Sequence, residues 1–351
     1  MSKPIVLITG GTGLTGSHII SQLLEQGQYT VRGVARSASK LKSIFPDARP
    51  DQLEIVEIPN LTSDFTEALK GVYAVIHVAS ATYANGATGP EIFEVAYEGT
   101  LNLIQQAIKQ GIKKIVYTGA YGSLLDTKIS NGFSTVPITE KDFGPITLEE
   151  LDRTDTNLTT IYQASKTIAE KKAWELAHEN PDVDLTVLLP PGIFGPLVPN
   201  FVLKSRESLS SNDYVYQIIL NGPDAYPFFP VSDMVDVRDI ARAHLAALAL
   251  PPLPVDEETG SRRDKRFIVS GCKYWWKEVA DLIRRERPHL AHRLPKEDVP
   301  APVQITTPLD LSFTEKFLPG FEGVQSYYPW EDSILGALDS ALALEQDGKK
   351  N

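Results

Sequence analysis

Cysteine is nearly absent. Cys272 is the only thiol in 351 residues, so no disulfide can close within one chain and cysteine-built zinc or iron–sulfur chemistry is disfavoured. A reducing compartment, and with it a cytoplasmic location, is the expectation that follows. Long apolar runs are missing as well. Ile5-Val6-Leu7-Ile8, after Met1-Ser2-Lys3-Pro4, is too short for a signal core or a membrane span, and no later segment reaches membrane length. Positive charge is also in deficit: 34 Lys and Arg stand against 45 Asp and Glu, a formal net charge of −11 without a basic cluster. A phosphate backbone rewards clustered cations, so neither nucleic acid nor membrane is an expected partner. The six histidines show no metal-ligand spacing, and no metal is expected.

What is present is a regular alternation. Strand-length apolar runs (Ile5 to Ile8, Tyr29 to Val34, Leu53 to Ile58, Ala74 to Val78, Lys114 to Tyr117, Asp184 to Leu189) are interleaved with helix-length amphipathic stretches. The helices run from Leu14 to Gln26, from Glu91 to Lys109, and from about Ile161 to His178. This order predicts an α/β fold, a Rossmann-type doubly wound parallel sheet, over residues 1–190. From Pro190 onward, Pro-Pro-Gly, Asn-Gly-Pro and Pro-Phe-Phe-Pro cut the chain into short elements, which reads as a smaller C-terminal α/β substrate lobe over 191–345. The strong helix Val237 to Ala249 is expected to return to the first domain, and the polar stretch Pro251 to Lys265 reads as a surface loop. The acidic runs Glu149-Glu150 and Asp256-Glu257-Glu258 read as solvated faces.

Thr9-Gly10-Gly11-Thr12-Gly13-Leu14-Thr15-Gly16 lies between the first strand and the first helix. Glycine there lets backbone approach a pyrophosphate at a helix N-terminus, so a dinucleotide site is predicted at Gly10, Thr12, Gly13, Leu14 and Gly16. The second strand ends Val34-Ala35-Arg36-Ser37, without the acid that would hold ribose hydroxyls. Arg36, with Lys40 one helical turn on, offers cations to a 2′-phosphate, which selects NADP over NAD. Further along, Tyr162 and Lys166 fall one turn apart on one helix face. An ammonium beside a phenol stabilises the phenolate and lowers its pKa, so Tyr162 can act as proton donor while Lys166 also holds the nicotinamide ribose.

The glycine spacing resembles the T-G-x-x-G-x-x-G of the extended short-chain dehydrogenase/reductases. With Val78-Ala79-Ser80, Val95 to Asn102, the Tyr162/Lys166 pair, Leu188 to Pro196 and Val235 to Ala241, the chain is similar over nearly its whole length to one branch of that family: the dihydroflavonol reductases, cinnamoyl-CoA reductases and methylglyoxal reductases. The resemblance implies that Ala79, Ser80 and Thr118 line the cofactor, that Pro190, Gly192 and Ile193 cover the nicotinamide, and that Phe194 and the following lobe face the substrate. It also exposes a departure. Where such enzymes read Thr-Ser-Ser and the last serine bonds the substrate carbonyl, this chain reads Thr118-Gly119-Ala120. Ser123, after the flexible Gly122, is the first hydroxyl expected to substitute, with Tyr121 and Thr118 behind it.

The expected activity is therefore NADPH-dependent reduction of a small aldehyde or ketone, with the aromatic residues Phe201, Tyr226, Phe228 and Phe229 in the substrate lobe. A catalytically weakened NADPH-binding sensor is the rival from another class. A nucleotide-sugar epimerase or dehydratase is the rival within the fold, and Arg36 counts against it. The chain is expected as monomer or homodimer, the long helices from Glu91 and from Ile161 being able to form a four-helix contact between two copies.

Overall fold

The structure is a computed structural model that describes residues 2–81, 87–126, 128–153, 157–255, 260 and 263–348. The apolar run after Pro4 becomes β1 (Ile5–Thr9), buried at every position but its first because parallel partners flank it on both sides. These are β2 (Thr30–Ala35) and β4 (Val72–His77). With β3 (Leu53–Glu57), β5 (Lys114–Thr118), β6 (Asp184–Leu189) and β9 (Lys265–Ile268) they form a seven-stranded parallel sheet in the order β3-β2-β1-β4-β5-β6-β9. The order reverses between β1 and β4. In such sheets ligands bind outside the carboxyl ends of the strands at the reversal, which fixes where a site should lie.

Helices cover both faces. α1 (Leu14–Gln26) stops at Gly27, whose φ of 64° turns the chain and lets its N–H close on Leu23 O. On the same face, α7 (Val237–Ala249) packs against α1, setting Ile240, Ala243 and Ala247 against Ile19, Ile20 and Leu23 in one apolar cluster. On the other face lie α4 (Thr100–Lys109) and α5 (Leu158–Glu179), whose Leu103, Ile104, Ala107, Ala173 and Trp174 close a second cluster. α2 (Ala38–Ile44) follows β2. The stretch expected as one helix from Glu91 begins earlier and is broken: α3 (Gly89–Phe93) leads into a π turn, Glu94–Gly99, before α4.

Beyond β6, β7 (Gly192–Phe194) and β8 (Asp233–Asp236) pair in parallel, and β10 (Cys272–Lys273) joins β8 antiparallel. α6 (Asn212–Leu220), α8 (Trp276–Glu286) and α10 (Trp330–Gly348) enclose a third core around Phe194, Tyr274, Trp276 and Leu338. α9 (Ser312–Phe317) packs near β9.

The seventh strand is the main departure from the sequence-based layout, in which a surface loop ends at Lys265 and the following residues stay in the lobe. Lys-Arg-Phe-Ile carries two cations, yet both are buried, Lys265 at 2% exposure and Arg266 at 3%. Their partners explain it. Lys265 Nζ meets Asp184 Oδ1 at 2.5 Å and donates to Leu250 O, while Arg266 Nε meets Glu170 Oε1 on α5 at 2.5 Å. The Arg266 guanidinium also donates to the carbonyls of Glu140 and Asp142. Glu149 and Glu150 are exposed, as expected, whereas the run Asp256 to Glu258 lies outside the described residues.

Candidate active site

At the carboxyl end of β1, Gly10 has φ +77°, and a Cβ there would stand 2.8 Å from Ala79 N after β4. At Gly16 a Cβ would stand 2.2 Å from Gly10 O, so any side chain would push the turn off the helix. Thr9 Oγ1 accepts the N–H groups of Val78 and Ala79, each at 3.2 Å, tying the two strand ends together. α1 then starts at Gly13 with no side-chain cap and no acid in its first turn. Thr12, Ala79 and Ser80 are half-buried around this turn, and Leu14 is buried beneath it. The first-turn N–H groups and the helix dipole make this a cradle for an anion.

Arg36 is exposed at the end of β2, and Ser37 caps α2 by accepting from Lys40 N at 3.3 Å. Glu57, at the end of β3, accepts from Ala38 N at the same helix start. The Lys40 ammonium is held below its ordinary pKa by burial and then by the charges of Lys204 and Arg36. Lys204 comes from the segment after β7. Its segment reaches α2, for Val198, Pro199 and Asn200 share a cleft of about 480 Å³ with Ile44 to Ala48. Lys204 is remote from α2 in sequence and near it only in the fold, so no local pattern in the chain marks it.

The chemical centre stands on α5, which Asn157 caps by accepting from Thr159 N and Thr160 N. Tyr162 is half-buried and Lys166, one turn on, is 2% exposed. Lys166 Nζ donates to Tyr117 Oη and to Thr118 O, both at 2.7 Å, and lies 4.3 Å from the Tyr117 ring centroid. Burial brings its pKa down to about 7 against the opposing pull of Glu170. The Thr118 hydroxyl, expected at the cofactor, bonds His244 Nε2 at 2.7 Å instead, so what Thr118 offers a cofactor is backbone. Pro190, Gly192 and Ile193 lie where β6 passes into β7, and Pro190 O accepts the Tyr121 N–H.

Ser123, expected in place of the missing serine, faces inward. It is fully buried, and its Oγ is engaged with Glu170 Oε2 at 2.6 Å, Ala120 O at 2.8 Å and Arg266 Nη2 at 3.3 Å. Gly122 is not among the positive-φ glycines, so the backbone freedom that would swing Ser123 outward is not used. Of the three hydroxyls near Ala120, Tyr121 Oη alone has no hydrogen-bond partner among the described residues, although its side chain is buried. The aromatic set is also smaller than expected: Phe229 stacks on Tyr214 at 4.4 Å, but Phe228 is 82% exposed.

Behind the centre, His77 Nδ1 meets Thr9 Oγ1 at 2.7 Å and its Nε2 meets Thr100 Oγ1 at 3.0 Å. Burial, with the Lys166 charge, brings the His77 pKa down to about 3, and burial brings His244 to about 4. The unfolded chain protonates histidine near 6.5, so below that pH it binds protons that the folded state refuses. Stability should therefore fall as pH drops from 6.5 toward 4, by up to ~1.4 kcal/mol per pH unit for each imidazole. Urea unfolding across that window measures it; His244→Gln should flatten the slope by about one imidazole's share, and an unchanged slope contradicts the assignment.

A larger cleft, about 710 Å³, opens at the amino ends of the strands between Tyr29, Tyr73, Lys114 and Pro252. It is the wrong end of the sheet for this chemistry, and Lys114 within it is already paired with Asp184.

Residues 6–256 match the model of the NAD dependent epimerase/dehydratase family. The chain is 31% identical over 314 residues to the ketoreductase azaE of Aspergillus niger, covering 84% of this chain and 86% of that one. It is 30% identical over 312 residues to a Candida albicans protein named "Putative NADPH-dependent methylglyoxal reductase GRP2", covering 85% and 87%. Among solved structures, Gre2 of Candida albicans in complex with NADPH superposes with a TM-score of 0.77 at 25% identity, over 97% of this chain and 99% of that chain.

Proposed function

The chain belongs to the NAD dependent epimerase/dehydratase family, and from that premise we propose that it is an NADPH-dependent reductase delivering hydride to the carbonyl of a small aldehyde or ketone. The observation that carries the chemistry is the buried Lys166, held one helical turn from the half-buried Tyr162 at the carboxyl end of the sheet. The residues present fit the cofactor. Gly10, Thr12, Gly13, Leu14 and Gly16 would hold the pyrophosphate on the N-terminus of α1, and Arg36 and Lys40 the 2′-phosphate. Ala79 and Ser80 would flank the adenosine side, and Pro190, Gly192 and Ile193 the nicotinamide. When bound, NADPH supplies the hydride. Tyr162 would give its phenolic proton to the carbonyl oxygen, and Lys166 would stabilise the phenolate left behind and help hold the nicotinamide ribose.

Converging Arg36, Lys40 and Lys204 is unfavourable without an anion among them, which supports a 2′-phosphate there. Lys204→Ala is expected to raise the Kd for NADPH about threefold to tenfold, an effect that shrinks in high salt, and to leave NADH binding unchanged. Equal loss with both cofactors would remove Lys204 from the phosphate site.

Ala120 favours a second reading, in which the chain binds NADPH without efficient turnover and acts as a sensor. The deciding experiment is NADPH oxidation by the purified protein over a panel of aliphatic and aromatic aldehydes and ketones, beside NADPH binding by fluorescence. Turnover supports the reductase. Tight binding with no turnover across the panel supports the sensor. Among the described residues, no helix is long and apolar enough to cross a membrane.

A further inference from the structure

We propose that Tyr117 is a positioning residue for this site: from β5 it holds the Lys166 ammonium on its hydroxyl oxygen, keeping that charge beside Tyr162. An ammonium has three N–H groups, and here two are fixed, one by Tyr117 Oη and one by Thr118 O, each at 2.7 Å. One N–H remains.

Tyr117 can accept from lysine only if its own proton has somewhere to go. The Thr100 hydroxyl is its neighbour on that side. The Thr100 hydroxyl donates to Ala96 O at 2.9 Å, which leaves its lone pairs for Tyr117 and for His77 Nε2 at 3.0 Å. His77 Nδ1 then accepts from Thr9, whose oxygen in turn accepts from Val78 N and Ala79 N. One proton arrangement satisfies Thr9, His77 and Thr100 together. One arm runs from the glycine turn through His77 to Thr100 and ends on the Ala96 carbonyl, beside the Tyr117 that holds Lys166. Ala96 belongs to the π turn, where the regular helical ladder is interrupted.

Around Lys166, β5 supplies Tyr117 and the Thr118 carbonyl, β4 supplies His77 and α5 supplies Glu170, while Thr100 of α4 and Tyr162 of α5 lie around Tyr117. Burial keeps His77 neutral and keeps the Tyr117 phenol protonated, and Glu170 is engaged with Arg266 at 2.5 Å. Tyr117 is therefore the neutral acceptor that favours the charged lysine without competing with the phenolate.

The consequence for catalysis rests on the reductase reading, but the first measurement does not. The Lys166 titration is followed by NMR of protein labelled with ¹³C at the lysine ε-carbon, the signal being assigned with Lys166→Arg. Tyr117→Phe keeps the ring, its stacking on His77 at 5.5 Å and the ring beneath the ammonium, and deletes only the acceptor. The Lys166 midpoint is expected to fall by about one pH unit. In alcohol oxidation, where Tyr162 works as phenolate, the acid limb of the pH profile is expected to move up by a similar amount with NADPH Kd unchanged. An unmoved lysine midpoint in the folded variant overturns the proposal, even if kcat falls. Should Tyr117→Phe not fold, Thr100→Val is read in its place: a smaller shift of the same sign supports the chain, and none overturns it. Absence of turnover in the wild type would sink the reductase reading while the lysine titration still decides the role of Tyr117.

Discussion

Tyr162→Phe is expected to lower kcat for carbonyl reduction by about 10²–10⁴ while leaving the Kd for NADPH within about a factor of two. The change deletes one oxygen from a half-buried ring on α5. Lys166 does not collapse in response, because its two fixed partners, Tyr117 and the Thr118 carbonyl, both belong to β5. The loss should therefore fall on proton transfer and not on cofactor binding. Hydride arriving at a carbonyl carbon without a proton for the oxygen builds an alkoxide, and supplying that proton is the work assigned to Tyr162. Steady-state kinetics with binding measured separately will show the split. A variant that keeps full kcat would mean that another group is the acid.

Ala120→Ser should act in the opposite direction, raising kcat by about 10²-fold. Ala120 has extended backbone, with φ −155° and ψ 141°, immediately before the turn that carries Tyr121 and Ser123. Neither the Ser123 nor the Thr118 hydroxyl is available to the substrate, one being engaged with Glu170 and the other with His244. A preorganised donor is worth most where water is excluded, and at 6% exposure this position is such a place. No gain in the variant would mean that the carbonyl already has its donor. Tyr121, with its unpartnered hydroxyl, would then be the next residue to truncate.

Much of this fold is legible in the chain itself. Six of the seven strands of the main sheet, the helix from Leu14 and the helix carrying Tyr162 follow from apolar periodicity and glycine stops, because burial on both faces leaves an unmistakable run. β9 is not legible. Lys265 and Arg266 look like solvent residues until Asp184 and Glu170 are placed opposite them, and that pairing is a property of tertiary structure. The glycine turn and the Tyr162/Lys166 spacing are local signals, so they can be read. Tyr117 and His77 sit inside strands, where an apolar neighbourhood disguises a polar role. The inward set of Ser123 has a related reason: flexibility at Gly122 is an allowance, whereas the Glu170 carboxylate that holds the serine is a demand.

The Glu170–Arg266 pair has a bearing on how this protein comes into being. Glu170 lies on the buried face of the helix that carries Tyr162 and Lys166, and the guanidinium that neutralises it arrives from a strand much later in the chain, the pair being 96 apart in sequence. While that strand is still unmade, docking the helix seals the Glu170 carboxylate against Ser123 and Trp174 without its counter-charge, a state several kcal/mol uphill. Docking of the reactive helix is therefore most favourable once Arg266 is in place, which ties completion of the sheet to assembly of the active site.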